Sequence, residues 1–294
     1  MKKLLKLTAV CCCLWLVLSC GNKPNNPAPN DGNNNGNNNG NTTTTCRLTT
    51  QYTNYNNRPE TFQFEYDANG NPSRLSYTNN GTLSIIQTIQ PTQININEAA
   101  SNALDRGITY NVSYLDKRPS SYVVHSDVSA QLLAGVFTYD GKGRLATVTG
   151  GFADKNGVLE TETATTVTIN YDDNGNAIKL TYQNKDGITH TYTATGFDKN
   201  PTPYAGIKNS SFIQYDFYWI GTDLDYPRYV FDHLSAHNVL GYTATSLGTS
   251  FIYAENFKYK YNDKGQPTER NATGGEYGQT PTKGYLDSWT YNCQ

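Results

Sequence analysis

The stretch Tyr171-Asp172-Asp173-Asn174-Gly175-Asn176 constrains the fold of this chain more than any other. Before it, Val167, Ile169 and Tyr171 alternate with Thr168 and Asn170; after it, Ile178, Leu180 and Tyr182 alternate with Lys179 and Thr181. A period of two puts each apolar set on one face of a strand. Between the runs, the Asp172 carboxylate can accept from a backbone N–H two residues on, and Gly175 supplies positive φ at no steric cost. The whole reads as a β-hairpin. The same grammar returns at Tyr66-Asp67-Ala68-Asn69-Gly70, at Tyr139-Asp140-Gly141-Lys142-Gly143 and at Tyr261-Asn262-Asp263-Lys264-Gly265. Weaker turns fall at Asp154–Gly157, Asn184–Gly187 and Tyr114–Pro119. The strong copies are unevenly spaced, which excludes a solenoid of fixed period. They are one local solution to turn formation, used repeatedly in one sheet.

Alternation between these turns marks further strands, among them Leu159–Tyr171, Ile188–Ala194 and Phe212–Tyr218. Short turns imply antiparallel neighbours. Two helical interruptions are expected. Asn97 caps Glu98–Arg106, with Gly107 as the stop, and Asp225 caps Pro227–Ser235. Asp198–Ser211 reads as a long loop. The expected fold is all-β: a curved antiparallel meander of hairpins, closed or nearly closed into a barrel so that no edge strand is left to template aggregation.

Met1–Ser19 reads as an export signal. Lys2, Lys3 and Lys6 precede an apolar run, Leu7–Leu18, that is too short to span a bilayer as a mature helix. Its end, Leu16-Val17-Leu18-Ser19-Cys20-Gly21, resembles the lipobox of bacterial lipoproteins. The resemblance implies cleavage before Cys20, a diacylglyceryl group on its thiol and an acyl chain on the new amino terminus. Several chains together anchor stably where one would be marginal. Gly rather than Asp after Cys20 implies the outer membrane, on its periplasmic face or at the cell surface. Residues 20–45, built of Asn, Gly, Pro and Thr, cannot bury a core and are expected to form a disordered tether. That leaves 46–294 as a single β domain.

With the signal removed and Cys20 acylated, Cys46 and Cys293 remain. An exported chain meets an oxidising compartment, so a disulfide joining the first and last strands is expected; two buried free thiols are the alternative.

The layout as a whole resembles a known group. The Tyr-Asp-x-x-Gly hairpins are similar to the YD repeats of Rhs/teneurin-type shells. The lipobox, the Asn-rich tether, the opening Cys46, the stretch Phe197-Asp198-Lys199-Asn200-Pro201 and the closing Tyr291-Asn292-Cys293 together resemble uncharacterised Bacteroides-type lipoproteins. That resemblance implies a porin-like antiparallel β domain and brings no activity with it.

Chemistry-bearing motifs are sparse. The net charge is −2 and the pI about 6.1, without a basic stripe, so nucleic acid is not an expected partner. His233 and His237 lie four apart beside Asp232, a spacing that on a helix can hold zinc. The glutamate of the zinc-protease motif is missing, and histidines at a helix end are the favoured reading. Asp172–Asn176 superficially resembles a calcium loop, but Ala177 replaces the required glycine and Gln183 the terminal glutamate, so it is a turn. Glu160 and Glu162 share a face of one expected strand; a solvated face is favoured over a glycosidase pair. No nucleophile elbow or phosphate-cradling loop is present and no cofactor is expected. Most of the 23 tyrosines suit half-buried cross-strand positions. The dense block of Phe212, Tyr215, Tyr218 and Trp219 rises above that background as a candidate ligand-binding surface. The expected function is thus that of a non-catalytic envelope lipoprotein that binds a glycan or lipid. Docking of another envelope protein is the alternative, and a hydrolase with an unrecognised site stands behind both.

Overall fold

The computed structural model describes residues 46–55, 58–80, 82–89, 93–98, 106–116, 118–126, 129–183, 187–205, 207, 227–246, 252–276 and 285–293. They belong to one compact unit, Gly40–Gln294. Its strands are β1 (Cys46–Tyr55), β2 (Arg58–Tyr66), β3 (Pro72–Asn79), β4 (Thr82–Ile89), β5 (Gln93–Glu98), β6 (Arg106–Leu115), β7 (Arg118–Ser126), β8 (Ser129–Tyr139), β9 (Leu145–Ala153), β10 (Thr165–Tyr171), β11 (Ala177–Gln183), β12 (Thr189–Pro201), β13 (His237–Ser246), β14 (Ile252–Tyr261), β15 (Pro267–Glu276) and β16 (Leu286–Cys293). One helix, α1 (Pro227–Leu234), lies between β12 and β13.

Each strand pairs antiparallel with the next, and β1 pairs with β16 as well as with β2, which closes the sheet into a barrel. At the seam Cys46 stands opposite Cys293, their Cα atoms 3.9 Å apart, and a disulfide joins them. Alternation decides which side faces in. On β10, Thr165, Val167 and Ile169 are buried while Thr166, Thr168 and Asn170 are exposed. Val148, Val167 and Leu180 on consecutive strands are wholly buried. The inward side chains make one large apolar cluster from β6 round to β15, and a smaller one of Leu48, Phe64, Leu75 and Trp289. The chain between β12 and β13 enters both: Tyr204 and Ile207 join the smaller cluster, Val230 and Phe231 of α1 the larger. These described residues of the connection pack among the inward-facing side chains of the wall.

The recurrent turns share one geometry. In each, the first polar side chain accepts from two backbone N–H groups: Asp67 from Asn69 and Asn71, Asp140 from Lys142 and Arg144, Asp154 from Asn156 and Val158, and Asn262 from Lys264 and Gln266. Asp172 takes the N–H of Asn176 in the same way. The glycines that follow, among them Gly70, Gly143, Gly175 and Gly265, sit at φ between 74° and 87°, where only glycine is free of strain. In the last turn Asn262, not Asp263, is the capping side chain, and Asp263 is exposed. The preceding tyrosine ties the turn sideways. Tyr66 donates to the Leu48 carbonyl at 2.6 Å, Tyr139 to Pro119 at 2.7 Å and Tyr171 to Leu145 at 3.0 Å, each on the strand before. The guanidinium groups of Arg47, Arg118 and Arg144 lie over the same three rings at 5.8, 5.5 and 4.4 Å.

Several expectations are corrected. The strand expected from Leu159 begins only at Thr165, because a turn at 161–163 intervenes and leaves Glu160 and Glu162 exposed. Ile178 points outward, since a bulge at Asn170/Tyr171 shifts the register after the turn. Glu98 and Arg106, the ends of the first expected helix, are strand residues paired with each other. Asp198–Pro201, read as loop, continues β12. The helix at Pro227 forms as expected and ends at Leu234. Phe212–Tyr218 lies outside the described residues.

Candidate functional site

Strand direction alternates round the barrel, so the Tyr-Asp turns, both chain ends and the β12–β13 connection share one mouth. The connection is docked there by the turns themselves. On its outgoing limb, Asn238 donates to Asp198 at 3.2 Å and to the Asn200 carbonyl at 3.2 Å, and the Tyr261 hydroxyl donates to Asp198. On its returning limb, Ser235 Oγ accepts from Ala177 N–H at 3.1 Å, Ala236 N–H donates to the Gly175 carbonyl, and His237 N–H donates to Asn176. The hairpin at Asp172 thus seats the end of α1.

Below this mouth lies a buried ion cluster. Arg270 of β15 is fully buried. Its Nε and Nη2 donate to Asp287 of β16 at 2.8 and 2.6 Å, and its Nη1 to Asp232 of α1 at 2.7 Å. Thr53 of β1 donates to the other oxygen of Asp287 at 2.6 Å. Phe257, Trp289 and Tyr259 pack round the guanidinium at 4.8, 5.4 and 5.9 Å. Burial works against the charge on Arg270, but the two carboxylates outweigh it and hold its pKa above the ordinary range. The same burial raises the Tyr259 phenol. Nearby, Glu255 accepts from Tyr253 at 2.5 Å and from Tyr285 at 2.9 Å. Tyr204 donates to Gln51 and stacks on His233 with ring centres 3.9 Å apart. Burial lowers the His233 pKa to about 3, so the ring is neutral at physiological pH.

This arrangement holds charge in place. Both carboxylates are committed to one arginine, which removes them as a free acid–base pair and makes the cluster a latch between α1 and three strands of the wall. Thr202 Oγ1, Asn238 Oδ1 and Trp289 Nε1 are buried without a protein partner among the described residues. Groups of this kind are served by ordered water or by a ligand.

His233 and His237 do not share a helix face. His233 is on α1 against Tyr204, whereas His237 opens β13 with its ring 2.9 Å from Asn176 Oδ1. No group of side chains among the described residues is arranged to hold a metal. Phe212, Tyr215, Tyr218 and Trp219 lie outside the described residues, between Ile207 and Pro227. Sequence reasoning passed over Arg270, Asp287, Gln51 and Glu255. A signal for Asp287 was legible: Tyr285, Asp287 and Trp289 alternate on one face, a carboxylate between two large aromatics.

No protein-family model and no curated protein matches the chain. Solved structures do. A porin-like protein from Bacteroides uniformis superposes with a TM-score of 0.51 at 14% identity, over 83% of this chain and 98% of that one. A porin-like protein from Bacteroides vulgatus superposes with a TM-score of 0.51 at 11% identity, over 84% of this chain and 99% of that one. At these identities the likeness is one of fold: a porin-like, all-β architecture.

Proposed function

We propose that this chain is a lipid-anchored, non-catalytic envelope protein of the outer membrane, whose barrel stands in water and binds a glycan or lipid. One observation carries the reading: among the described residues the outer wall of the barrel is mostly polar. Its exposed positions include Thr166, Thr168 and Asn170 on β10, Lys258 and Lys260 on β14, Asn271 and Thr273 on β15, and Thr290 and Asn292 on β16. A wall in lipid needs an outward apolar band, and a lysine at its midplane costs about 2–4 kcal/mol. Here most apolar side chains are inside, and Tyr114, Leu115, Val136, Phe152, Ile178 and Leu240 are the large ones exposed on described strands. Attachment is assigned to the lipobox-like Cys20. The porin-like fold supports an envelope setting. The sequence block Phe212–Trp219, outside the described residues, is the candidate ligand-binding surface.

The test compares the full chain with its Cys20→Ala variant in a bacterial host. The parent takes up labelled palmitate and sediments with membranes; the variant takes up none and is recovered in detergent-free buffer. A variant that stays in membranes after a carbonate wash would place the barrel in the bilayer and overturn the reading. For the ligand, melting of the soluble variant is followed with neutral glycans and fatty acids. A binder raises the midpoint by mass action, and Trp219→Ala abolishes the rise if the block is the site.

A further inference from the structure

Threonine is distributed unevenly over the wall. Thr138, Thr147, Thr168, Thr181, Thr191 and Thr245 stand directly opposite one another from β8 to β13, so that one unbroken row of threonines crosses six adjacent strands. At roughly 4.8 Å between strands the row is about 24 Å long. Shorter parallel rows flank it, Thr149–Thr166 on one side and Thr193–Thr243 on the other. The cause is visible in the sequence as Thr147-Val148-Thr149, Thr166-Val167-Thr168 and Thr243-Ala244-Thr245: one buried apolar residue between two outward hydroxyls.

Strand propensity alone would scatter threonine over the whole wall. Elsewhere the wall carries charge, with Glu65 paired to Arg74 and Lys260 to Glu269. The row itself carries none. Thr138 and Thr147 bond each other at 2.7 Å, and Thr149 and Thr166 at 2.9 Å. The hydroxyls of Thr168, Thr181, Thr191 and Thr245 are without a protein partner among the described residues, and each can both donate and accept.

We propose that this row is a binding track for a neutral, extended glycan chain lying across the strands. The inference rests on the reading that the wall faces water, and it names a site separate from the aromatic block. Threonine presents a hydroxyl beside a methyl group, and a straight register repeats that pair at a constant step. A polysaccharide offers the matching alternation of hydroxyl and C–H along its length. An uncharged track gives a polyanion no attraction, which selects a neutral chain.

The test is affinity electrophoresis of the full chain, extracted in mild detergent, through gels holding dextran, xyloglucan, mannan or alginate. At least one neutral glycan retards the protein and alginate does not. The paired variant Thr168→Val with Thr191→Val keeps the side-chain shape and removes two partner-free hydroxyls. It weakens retardation by roughly tenfold or more. Thr168→Lys with Thr191→Lys abolishes it, while Thr273→Lys, on the β15 wall, leaves it unchanged. Melting midpoints confirm that the variants fold. Retardation by no neutral glycan overturns the proposal, as does retardation that the paired variants leave intact or that Trp219→Ala removes instead. The detergent-free recovery of Cys20→Ala involves no glycan, so failure of the track and failure of the water-facing reading are distinguishable.

Discussion

Replacing Arg270 by methionine tests the latch most directly. Methionine fills much of the arginine stem and keeps contact with Phe257 and Trp289, so the cavity term is small. What it removes is charge. Asp232 is 1% and Asp287 0% exposed, and both lose the guanidinium that faces them. Breaking a buried pair from one side costs about 3–5 kcal/mol, a large share of the roughly 5–15 kcal/mol that holds a domain folded. At about 2–3 kcal/mol per molar urea the unfolding midpoint falls by 1–2 M.

Charge removal at the partners separates this cause from simple loss of packing. Adding Asp232→Asn and Asp287→Asn recovers most of the loss, since a neutral cluster needs no counter-charge. A cost below about 1 kcal/mol, or a triple variant no more stable than Arg270→Met, would refute the argument.

Three further outcomes are expected. Cys46→Ser with Cys293→Ser opens a loop of 247 residues and lowers stability by at most about 5 kcal/mol in the chain-entropy model; an unfolding midpoint indifferent to reductant in the parent would refute this. Because burial holds His233 near pKa 3 against an ordinary 6.5, the unfolded chain binds a proton the folded one rejects, so stability falls as pH drops from about 6.5; His233→Asn flattens the limb from pH 6.5 to 4.5, and melting curves that stay parallel would count against it. Tyr139→Phe deletes the 2.7 Å bond to the Pro119 carbonyl and costs about 1 kcal/mol, read as a lowered melting midpoint, whereas a stability gain would show the bond to be strained.

The sequence made the hairpins legible because their information is local. Asp172 and Gly175 do their work within the turn, and Val167 and Leu180 show the core face by alternation. What escaped was non-local. β15 reads Pro267-Thr-Glu-Arg-Asn-Ala-Thr-Gly-Gly-Glu276, with no apolar alternation, because its buried positions among the described side chains are Pro267, Arg270 and Ala272. An arginine can occupy a core face only when carboxylates from elsewhere meet it, and those come from α1 and β16, 38 and 17 residues away. Asp198 and Asn200 escaped for the same reason: Pro201 and the surrounding polar residues look like a loop until Asn238 and Tyr261 supply partners. Glu160 and Glu162 show the reverse error, where an alternation on paper is a turn in space.

A ring of this many strands ordinarily encloses a lumen wide enough for water. Here closure serves another end. Tyr122, Phe137, Tyr182, Tyr242 and Phe257 point into the lumen, and the β12–β13 connection supplies Tyr204, Val230 and Phe231 to meet them. The polar groups brought in with that connection are answered by the wall, Asp232 by Arg270 and Tyr204 by Gln51. Among the described residues the aromatics lie mostly within, and threonine, asparagine and lysine face outward beside exposed Val136, Phe152, Ile178 and Leu240. Among the described residues a porin-like topology thus surrounds packed side chains, and recognition is left to the outer wall and to the mouth where the two limbs of the connection are held.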